Sequence, residues 1–314
     1  GSQAGYRRWN EFKEKQLPHY SYTRNAAEKE GASRMSAYLH YGMVSPFRLA
    51  REASQAKAEK YLDELLIWRE LAYCFCRFRD SVDTLDAIPA WARQTLAAHR
   101  SDQRVHHLSW ENMARGRSGD RLWDAAQRSL LKHGELHNNV RMTWGKAVLQ
   151  WTRHPEEALQ RLIDLNHRYA LDGRDPASYG GILWCLGQFD RPFQPESPIV
   201  GTVRDRSTAE HLQRISIEAY EAKVDRPPFS ASPRIAVIGA GLGGVMCART
   251  LQDHGLSVQV FEKSYRPSGR CASRRVEEGL QFDNGAQYFT CRDPKLAKYV
   301  CSWLDDGIIA PWKG

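Results

Sequence analysis

The chain has 314 residues and a formal net charge of +8, from 45 Lys and Arg against 37 Asp and Glu. This length suffices for two domains whose cores need neither disulfides nor a structural metal, and the seven cysteines lack zinc-ligand spacing. The cysteine spacing therefore predicts no metal site. Because no apolar run approaches the roughly 18 residues of a membrane span and no signal-peptide pattern opens the chain, we expect a soluble, non-secreted protein.

Residues 6–224 show apolar positions at helical intervals, which predicts an almost entirely α-helical domain. Proline and acidic residues at 155–157 mark one of the helix starts. A last charged helix over 207–224 is interpreted as a linker or a lid. Residues 225–232 contain two consecutive prolines and predict a linker between two domains.

Residues 233–314 begin with a β-branched run followed by glycines at 239, 241 and 244. A helix and a second strand ending at Glu262 complete a β-α-β unit. In such units, bare glycine backbone approaches a pyrophosphate, and the acid accepts a hydrogen bond from a ribose hydroxyl. We therefore predict a partial Rossmann-like module in which Gly239, Gly241, Gly244 and Glu262 bind FAD or NAD(P); a folded but empty fragment is the alternative.

The stretches that follow are Arg266–Arg270, Ser273–Arg275 and Phe282–Phe289. Together with the glycine motif they resemble the start of renalase-like flavin amine oxidases, except that Ser268 replaces the first glycine of a pair. The match ends before the substrate domain of such enzymes, so we expect no amine oxidase turnover from this module.

The segment from Trp123 to Trp184 contains four tryptophans and an Asp-Gly-Arg-Asp-Pro turn. Trp144 and Trp151 are seven residues apart on one predicted helix, so they share a face and lie roughly 10 Å apart along its axis. Electron transfer between indoles is feasible over such a distance. Core packing explains the same spacing equally well.

Several motifs of the helical part occur together in a known order: Ala32–Ser45, Trp68–Ala72, the segment just described, and Trp184. In this order and spacing they resemble the flavin-binding half of class II cyclobutane pyrimidine dimer photolyases. The resemblance spans about residues 6–204. It implies an all-helical domain that holds a U-shaped FAD, and an enzyme similar to deoxyribodipyrimidine photo-lyase.

The resemblance assigns FAD contacts to six residues, namely Tyr20, Ser33, Ser36, Arg141, Asn166 and Asp172. Ser33 and Ser36 would contact the diphosphate, although helix N-capping also explains serines there. Arg141 and Asp172 would flank the isoalloxazine, and a simple internal salt bridge is the alternative. Asn166 would lie near flavin N5, unless it is a solvent-facing helix residue.

Trp144, Trp123 and Trp151 occupy the proximal, middle and surface positions of the electron-transfer chain that the resemblance implies. The family uses this chain to photoreduce its flavin. Excited reduced FAD then passes an electron to a pyrimidine dimer, which splits and returns it.

The resemblance also implies a pocket for the dimer. Its residues are the catalytic Glu70 and the substrate-binding Arg24, Asn25, Met142, Trp184 and Arg191. A flipped-out base could stack on the indole of Trp184. Taken alone, Glu70 is equally explained as a solvated helix charge, and Met142 as a core residue.

Departures from the family pattern concentrate on the DNA side and include Tyr73-Cys74, Thr143, Ala177-Ser178 and Phe193. Two alternatives therefore stay open beside light-driven dimer repair: a photolyase-like or cryptochrome-like light sensor or redox flavoprotein, and an FAD/NAD(P)-dependent oxidoreductase. The expected partners are single- or double-stranded DNA containing pyrimidine dimers and a separate antenna-domain protein. The expected location is the cytoplasm of a bacterium, or an organelle or the nucleus of a eukaryote.

Overall fold

The computed structural model describes residues 1–276, 279–283 and 285–312. Asn284 of the renalase-like motif and the last two residues of the predicted C-terminal module lie outside this range. The helices of the first part are α1 (Ser2–Lys15), α2 (Tyr20–Thr23), α3 (Ser36–His40), α4 (Pro46–Gln55), α5 (Glu59–Leu62), α6 (Arg69–Arg77), α7 (Ala90–Ala98), α8 (Trp110–Ala114), α9 (Arg121–His133), α10 (Asn138–Trp151), α11 (Pro155–Tyr169), α12 (Pro176–Cys185), α13 (Thr208–Leu212) and α14 (Ile217–Val224). A π-helical segment, Asp63–Trp68, joins α5 to α6.

Side chains at the helix ends explain where several of these helices begin and stop. Asp120 accepts a hydrogen bond from the amide of Trp123 at the start of α9, and Gly134 ends that helix with a φ of 64°. Asp175 accepts from the amide of Ala177 and so caps α12. The predicted start of α11 at Pro155 is also present.

Two hydrophobic cores organise the helical part. The smaller one is built from α1 to α5 around Trp9, which is fully buried. The larger one surrounds α10, whose residues are buried on nearly every side. A helix that is apolar all round belongs in the centre of a helical domain.

The charged helix predicted over 207–224 is not continuous. It is divided into α13 and α14, and Ser216 caps the second of these by accepting from the amide of Ala219. Tyr220 and Val224 are each only 2% exposed because α14 packs against α9. This segment is therefore part of the domain core, and its interpretation as a linker or lid was wrong.

The C-terminal part contains β1 (Arg234–Ile238), α15 (Leu242–Asp253), β2 (Ser257–Phe261), β3 (Ser273–Arg275), β4 (Gln281–Asp283) and α16 (Pro294–Asp305). β1 and β2 pair in parallel, whereas β3 and β4 form an antiparallel pair. A mainly helical chain with a small sheet near its C-terminus was predicted, and this prediction is confirmed.

Helices α15 and α16 pack on the helical part through polar contacts, some of them partly buried. The carboxylate of Glu111 on α8 accepts a hydrogen bond from the indole of Trp303 at 2.8 Å and pairs with Arg249. At the end of α16, Asp305 pairs with Arg153 at 2.7 Å and contacts His107. Arg153 is two residues after Trp151, so the end of α16 contacts the segment that follows this tryptophan.

No helix in the described ranges has both the length and the apolar character needed to cross a bilayer.

Close approach of α6 and α12 depends on one glycine. A Cβ added to Gly180 would lie 2.9 Å from Cβ of Ala72, a distance that real side chains do not tolerate. A Cβ added to the neighbouring Gly181 would meet its nearest atom, Cδ of Arg141, at 4.0 Å. The two adjacent glycines of α12 therefore differ sharply in the space beside them.

We expect Gly180→Ala to lower the free energy of unfolding by about 1–3 kcal/mol, because α6 and α12 must separate. Gly181→Ala is the matched control and should be neutral or stabilise by about 0.5–1 kcal/mol through helix propensity. Urea unfolding of both variants measures the difference. Equal free energies of unfolding for the two variants would show that the contact between α6 and α12 does not require glycine at position 180.

Candidate functional site

Three tryptophans form a continuous row between α9 and α10. Trp144 and Trp151 lie on α10 as predicted, and Trp123 from α9 lies between them. The ring centroids of Trp144 and Trp123 are 5.9 Å apart with the planes stacked at 11°. Those of Trp123 and Trp151 are 5.4 Å apart, edge to face. The helix spacing that suggested a hop of roughly 10 Å is thus bridged by a third indole.

The row is also part of the hydrophobic core. Trp123 and Trp144 are 0% and 1% exposed, and Trp151 is 8% exposed. Trp151 was predicted at the surface; it is the most exposed of the three but is still largely covered, with the exposed ring of His106 at 6.0 Å. The core-packing interpretation and the electron-transfer interpretation therefore describe the same arrangement.

A buried polar network surrounds Arg141, three residues before Trp144 on α10. Its guanidinium donates to Ser178 at 2.7 Å, to Asn166 at 3.2 Å and to Asp172 at 3.2 Å. The Asn166 amide donates to Gly173 O and to Ser178 Oγ, both at 2.8 Å. These contacts join Arg141, Asn166 and Asp172, which the sequence analysis placed around one flavin ring.

Asn166 is 1% exposed, so the alternative that it faces solvent is wrong. Arg141 and Asp172 form an ion pair in the structure. That this pair flanks a flavin stays a prediction. Ser178, at a position where the chain departs from the family pattern, contacts both Arg141 and Asn166. Sequence reasoning missed this residue; its position one helical turn after Asp175 was the available signal.

The residues predicted to hold the diphosphate lie in the N-terminal core. The rings of Tyr20 and Tyr61 are 5.2 Å apart, and the Tyr61 hydroxyl donates to Ser33 Oγ at 3.4 Å. Burial raises the pKa of Tyr20. Ser36 is exposed at the first position of α3, and neither it nor Ser33 caps that helix. The N-capping alternative is therefore not realised.

Polar atoms of this region are incompletely paired. Nε2 of His137 and Oε2 of Glu28 are buried and make no hydrogen bond in the described part of the chain. Burial lowers the pKa of His137 to about 4. Asn139, two residues further on, donates to the carbonyl of Asn25 at 2.8 Å and so connects α10 to the N-terminal segment. Arg24, the neighbour of Asn25, pairs with Glu64 at 2.6 Å.

The predicted substrate side lies where α6 meets α12. Trp184 on α12 stacks obliquely on Trp68, with ring centroids 4.9 Å apart and a 37° tilt. Trp68 ends the π-helical segment, a distortion that is common at functional sites because it redirects side chains. Glu70, two residues later, is 49% exposed at its side chain and pairs with Arg69 at 2.8 Å. A side chain exposed to this extent agrees both with a hydrogen bond to the dimer and with a solvated helix charge.

Tyr73 connects Glu70 to the Asp-Gly-Arg-Asp-Pro turn. Arg69 donates to the Tyr73 hydroxyl at 2.6 Å, and that hydroxyl donates to Asp175 at 2.7 Å. His40 lies 3.3 Å from the same carboxylate. Burial, and then the hydrogen bond to Asp175, raise the pKa of Tyr73. Tyr73, one of the departures from the family pattern, is thus a structural part of this site.

The other predicted substrate residues are less closely connected. Met142 is half-buried and packs against the main core. Arg191 is exposed, with its guanidinium 5.8 Å from the ring centre of Phe193, and Arg204 approaches the same ring at 5.3 Å. The Asp190 carboxylate accepts from the Trp184 indole at 3.4 Å and from the backbone amide of Arg191 at 3.2 Å, so it connects Arg191 to the stacked indoles without involving the guanidinium.

Thr143, another departure, is fully buried and contacts Nδ1 of His211 at 2.7 Å. Burial is the main reason why the pKa of His211 is lowered to about 4. The hydroxyl of Thr143 therefore pairs with one nitrogen of this imidazole, whereas the buried Nε2 of His211 has no hydrogen-bond partner among the described residues.

In the C-terminal module the glycines adopt the expected turn. Gly239 has a φ of 97°, and a Cβ on Gly244 would lie 1.9 Å from the carbonyl oxygen of Gly239. Glu262 accepts hydrogen bonds from the amides of Ala240 at 2.7 Å and Ser264 at 2.8 Å, and these bonds lower its pKa. Its carboxylate thus holds the glycine loop. Across the described ranges, no group of three or more His, Cys, Asp or Glu side chains could hold a metal ion.

Comparison with known proteins separates the two parts of the chain. Over 219 residues the chain is 37% identical to a deoxyribodipyrimidine photo-lyase of Methanothermobacter thermautotrophicus, which covers 69% of this chain and 48% of the relative. The corresponding protein of Arabidopsis thaliana is 38% identical over 217 residues, covering 67% and 44%. The chain thus spans about half the length of these relatives.

A crystal structure of a bacterial class III photolyase from Agrobacterium tumefaciens matches with a TM-score of 0.51 and 19% identity, over 72% of this chain and 45% of that one. This likeness concerns the fold alone. A family model described as an NAD(P)-binding Rossmann-like domain matches residues 237–302. A zeta-carotene-forming phytoene desaturase of Myxococcus xanthus is 48% identical over 52 residues, which are 17% of this chain and 10% of that protein. The assignment to class II stays a prediction.

Proposed function

We propose that the helical part of this chain, which is similar to deoxyribodipyrimidine photolyases, binds FAD and uses light to split pyrimidine dimers in DNA. The observation that carries the proposal is the unbroken row of Trp144, Trp123 and Trp151 that starts one helical turn from Arg141. Bound FAD would supply the light absorption and the one-electron chemistry.

The buried network fits a flavin. Arg141 is 8% exposed and carries a positive charge into the core, where it can stabilise negative charge on a reduced isoalloxazine. Asp172 and Ser178 hold the guanidinium in place, and Asn166 is fixed beside it. Ser33, Ser36 and Tyr20 would receive the diphosphate end, where Ser33 and Tyr20 both contact Tyr61.

On the substrate side, Trp184 and Trp68 together form an apolar wall against which an extruded base can stack. Glu70 extends from the same helix junction, with one carboxylate oxygen held by Arg69 and about half of its side chain free. We assign Glu70 as the hydrogen-bond partner of the dimer. Arg24, Asn25, Met142 and Arg191 would form the edge of this pocket.

We expect Trp144→Phe to reduce the rate of flavin photoreduction by about tenfold or more, because the row is interrupted at its inner end. Trp110→Phe is the matched control, since Trp110 is also buried but donates to Asp164 outside the row. Absorption of the bound flavin under blue light with a reductant measures both rates. Normal photoreduction in the Trp144 variant would contradict the proposed electron path.

Glu70→Gln tests the substrate side. We expect the repair yield on dimer-containing oligothymidylate to fall about tenfold, the effect of losing a charged hydrogen bond. Photoreduction should be unchanged. Glu59→Gln, at the exposed start of α5, is the control. If the unsubstituted protein fully reduces its flavin but leaves the dimer content unchanged, repair is excluded and a light-sensing role is indicated.

For the C-terminal module, we propose that Gly239, Gly241, Gly244 and Glu262 bind a second dinucleotide, FAD or NAD(P). The match to an NAD(P)-binding family and the tight glycine turn support this assignment. Binding would redirect Glu262 from the Ala240 amide to a ribose hydroxyl.

Gly244→Val should abolish this second binding event while one flavin per chain is retained, because its side chain would collide with the Gly239 carbonyl. Gly243→Ala is the control, since nothing lies within 4 Å of an added Cβ there. Calorimetric titration with NAD⁺, NADP⁺ and FAD measures the effect. Absence of binding by the unsubstituted protein would support the empty-fragment alternative.

A further inference from the structure

The indoles of this protein differ in what accepts their N–H groups. Outside the row, four of them donate to carboxylates: Trp9 to Glu52 at 2.8 Å, Trp110 to Asp164 at 2.7 Å, Trp303 to Glu111 at 2.8 Å and Trp184 to Asp190 at 3.4 Å. Among the described residues, carboxylates accept from four of the six indoles that donate a hydrogen bond.

The two innermost indoles of the row have neutral acceptors instead. Trp144 donates to Oε1 of Gln127 at 3.1 Å, and Trp123 donates to the carbonyl oxygen of Trp144 at 2.9 Å. Gln127 is 0% exposed, and its amide nitrogen donates to the carbonyl of Ala114 at 3.1 Å. This second bond fixes the amide with its oxygen toward Trp144.

The nature of the acceptor matters once an indole is oxidised. Removal of one electron makes the N–H group a much stronger acid, because loss of the proton cancels the positive charge left on the ring. A carboxylate at hydrogen-bond distance can take that proton. An amide oxygen stabilises the positive charge through its dipole but is too weak a base to accept the proton.

We infer that Gln127 is a positioning residue that keeps the proton on oxidised Trp144, so that the positive charge stays mobile and passes outward along the row. The inference rests on the proposed function. Without a base at Trp144, the radical cation retains its N–H and remains an acceptor for the next electron. A neutral Trp144 radical would have to regain a proton first.

Light-excited FAD, when bound, would supply the oxidant, and Trp144 would lose one electron and become a radical cation. An electron from Trp123 restores Trp144, and one from Trp151 restores Trp123; no proton moves in either step. Trp151, the most exposed member of the row and adjacent to exposed His106, then releases its N–H proton to solvent.

The test uses the flavin-loaded protein with Trp123→Phe, in which the charge stops at Trp144. Transient absorption after a blue laser pulse distinguishes a tryptophan radical cation from a neutral tryptophan radical. We expect only the cation, with equal decay in H₂O and D₂O. Adding Gln127→Glu should yield the neutral radical as the pH rises through about 6 to 9, since burial raises the pKa of a carboxyl group.

Gln127→Met is the second variant, because it keeps the volume but offers no strong acceptor. It should slow formation of the Trp144 radical several-fold yet give no neutral radical, a result that a purely structural role of Gln127 does not produce. In the background with intact Trp123, Gln127→Glu should lower photoreduction by about tenfold at alkaline pH.

A neutral Trp144 radical in the protein with Gln127 intact would overturn the inference, even if Gln127→Glu fails to fold. Identical spectra and decay for all three side chains would overturn it as well, while leaving the electron path in place. Absence of any tryptophan radical after flavin excitation would instead contradict the proposed function, and the inference with it.

Discussion

The two carboxylates of the Asp-Gly-Arg-Asp-Pro turn hold both halves of the candidate site. Asp172 binds Arg141 and thereby orients the charged centre of the buried network. Asp175 caps α12, accepts from Tyr73 and lies beside His40. One short turn thus fixes the start of the helix that carries Ser178 and Trp184, and it joins that helix to α6. The inner polar network and the outer stacked indoles are positioned by the same five residues.

Much of this arrangement could be predicted from the sequence because it depends on local pattern. Helical spacing placed Trp144 and Trp151 on one face of a single helix, and the β-α-β order of the C-terminal module followed from strand, glycine and acid signals. Family resemblance supplied the order of the tryptophans. The position of the Trp123 ring between the other two indoles cannot be derived from helical spacing, because it depends on how α9 packs against α10.

The sequence could not reveal partners that meet only in the folded chain. Ser178 and Tyr73 were read as departures from a pattern, yet both complete hydrogen-bond networks with distant residues. Gln127 belongs to no sequence motif, and its role beside Trp144 is inferred only from the hydrogen bonds of its amide in the folded chain. The division of the helix predicted over 207–224 into α13 and α14 was missed because the many charged residues of this segment concealed the burial of Tyr220 and Val224.

The packing of α16 determines part of the surroundings of Trp151, the outermost indole of the row. Asp305 pairs with Arg153, two residues after Trp151, and contacts His107, the residue before Leu108. The amide of Leu108 also donates to the carbonyl of Trp151 at 3.1 Å. Residues next to Trp151 in sequence or in its hydrogen-bonded neighbourhood are therefore held partly by the C-terminal part of the chain. On the proposed electron path, loosening α16 would alter which external reductants reach Trp151.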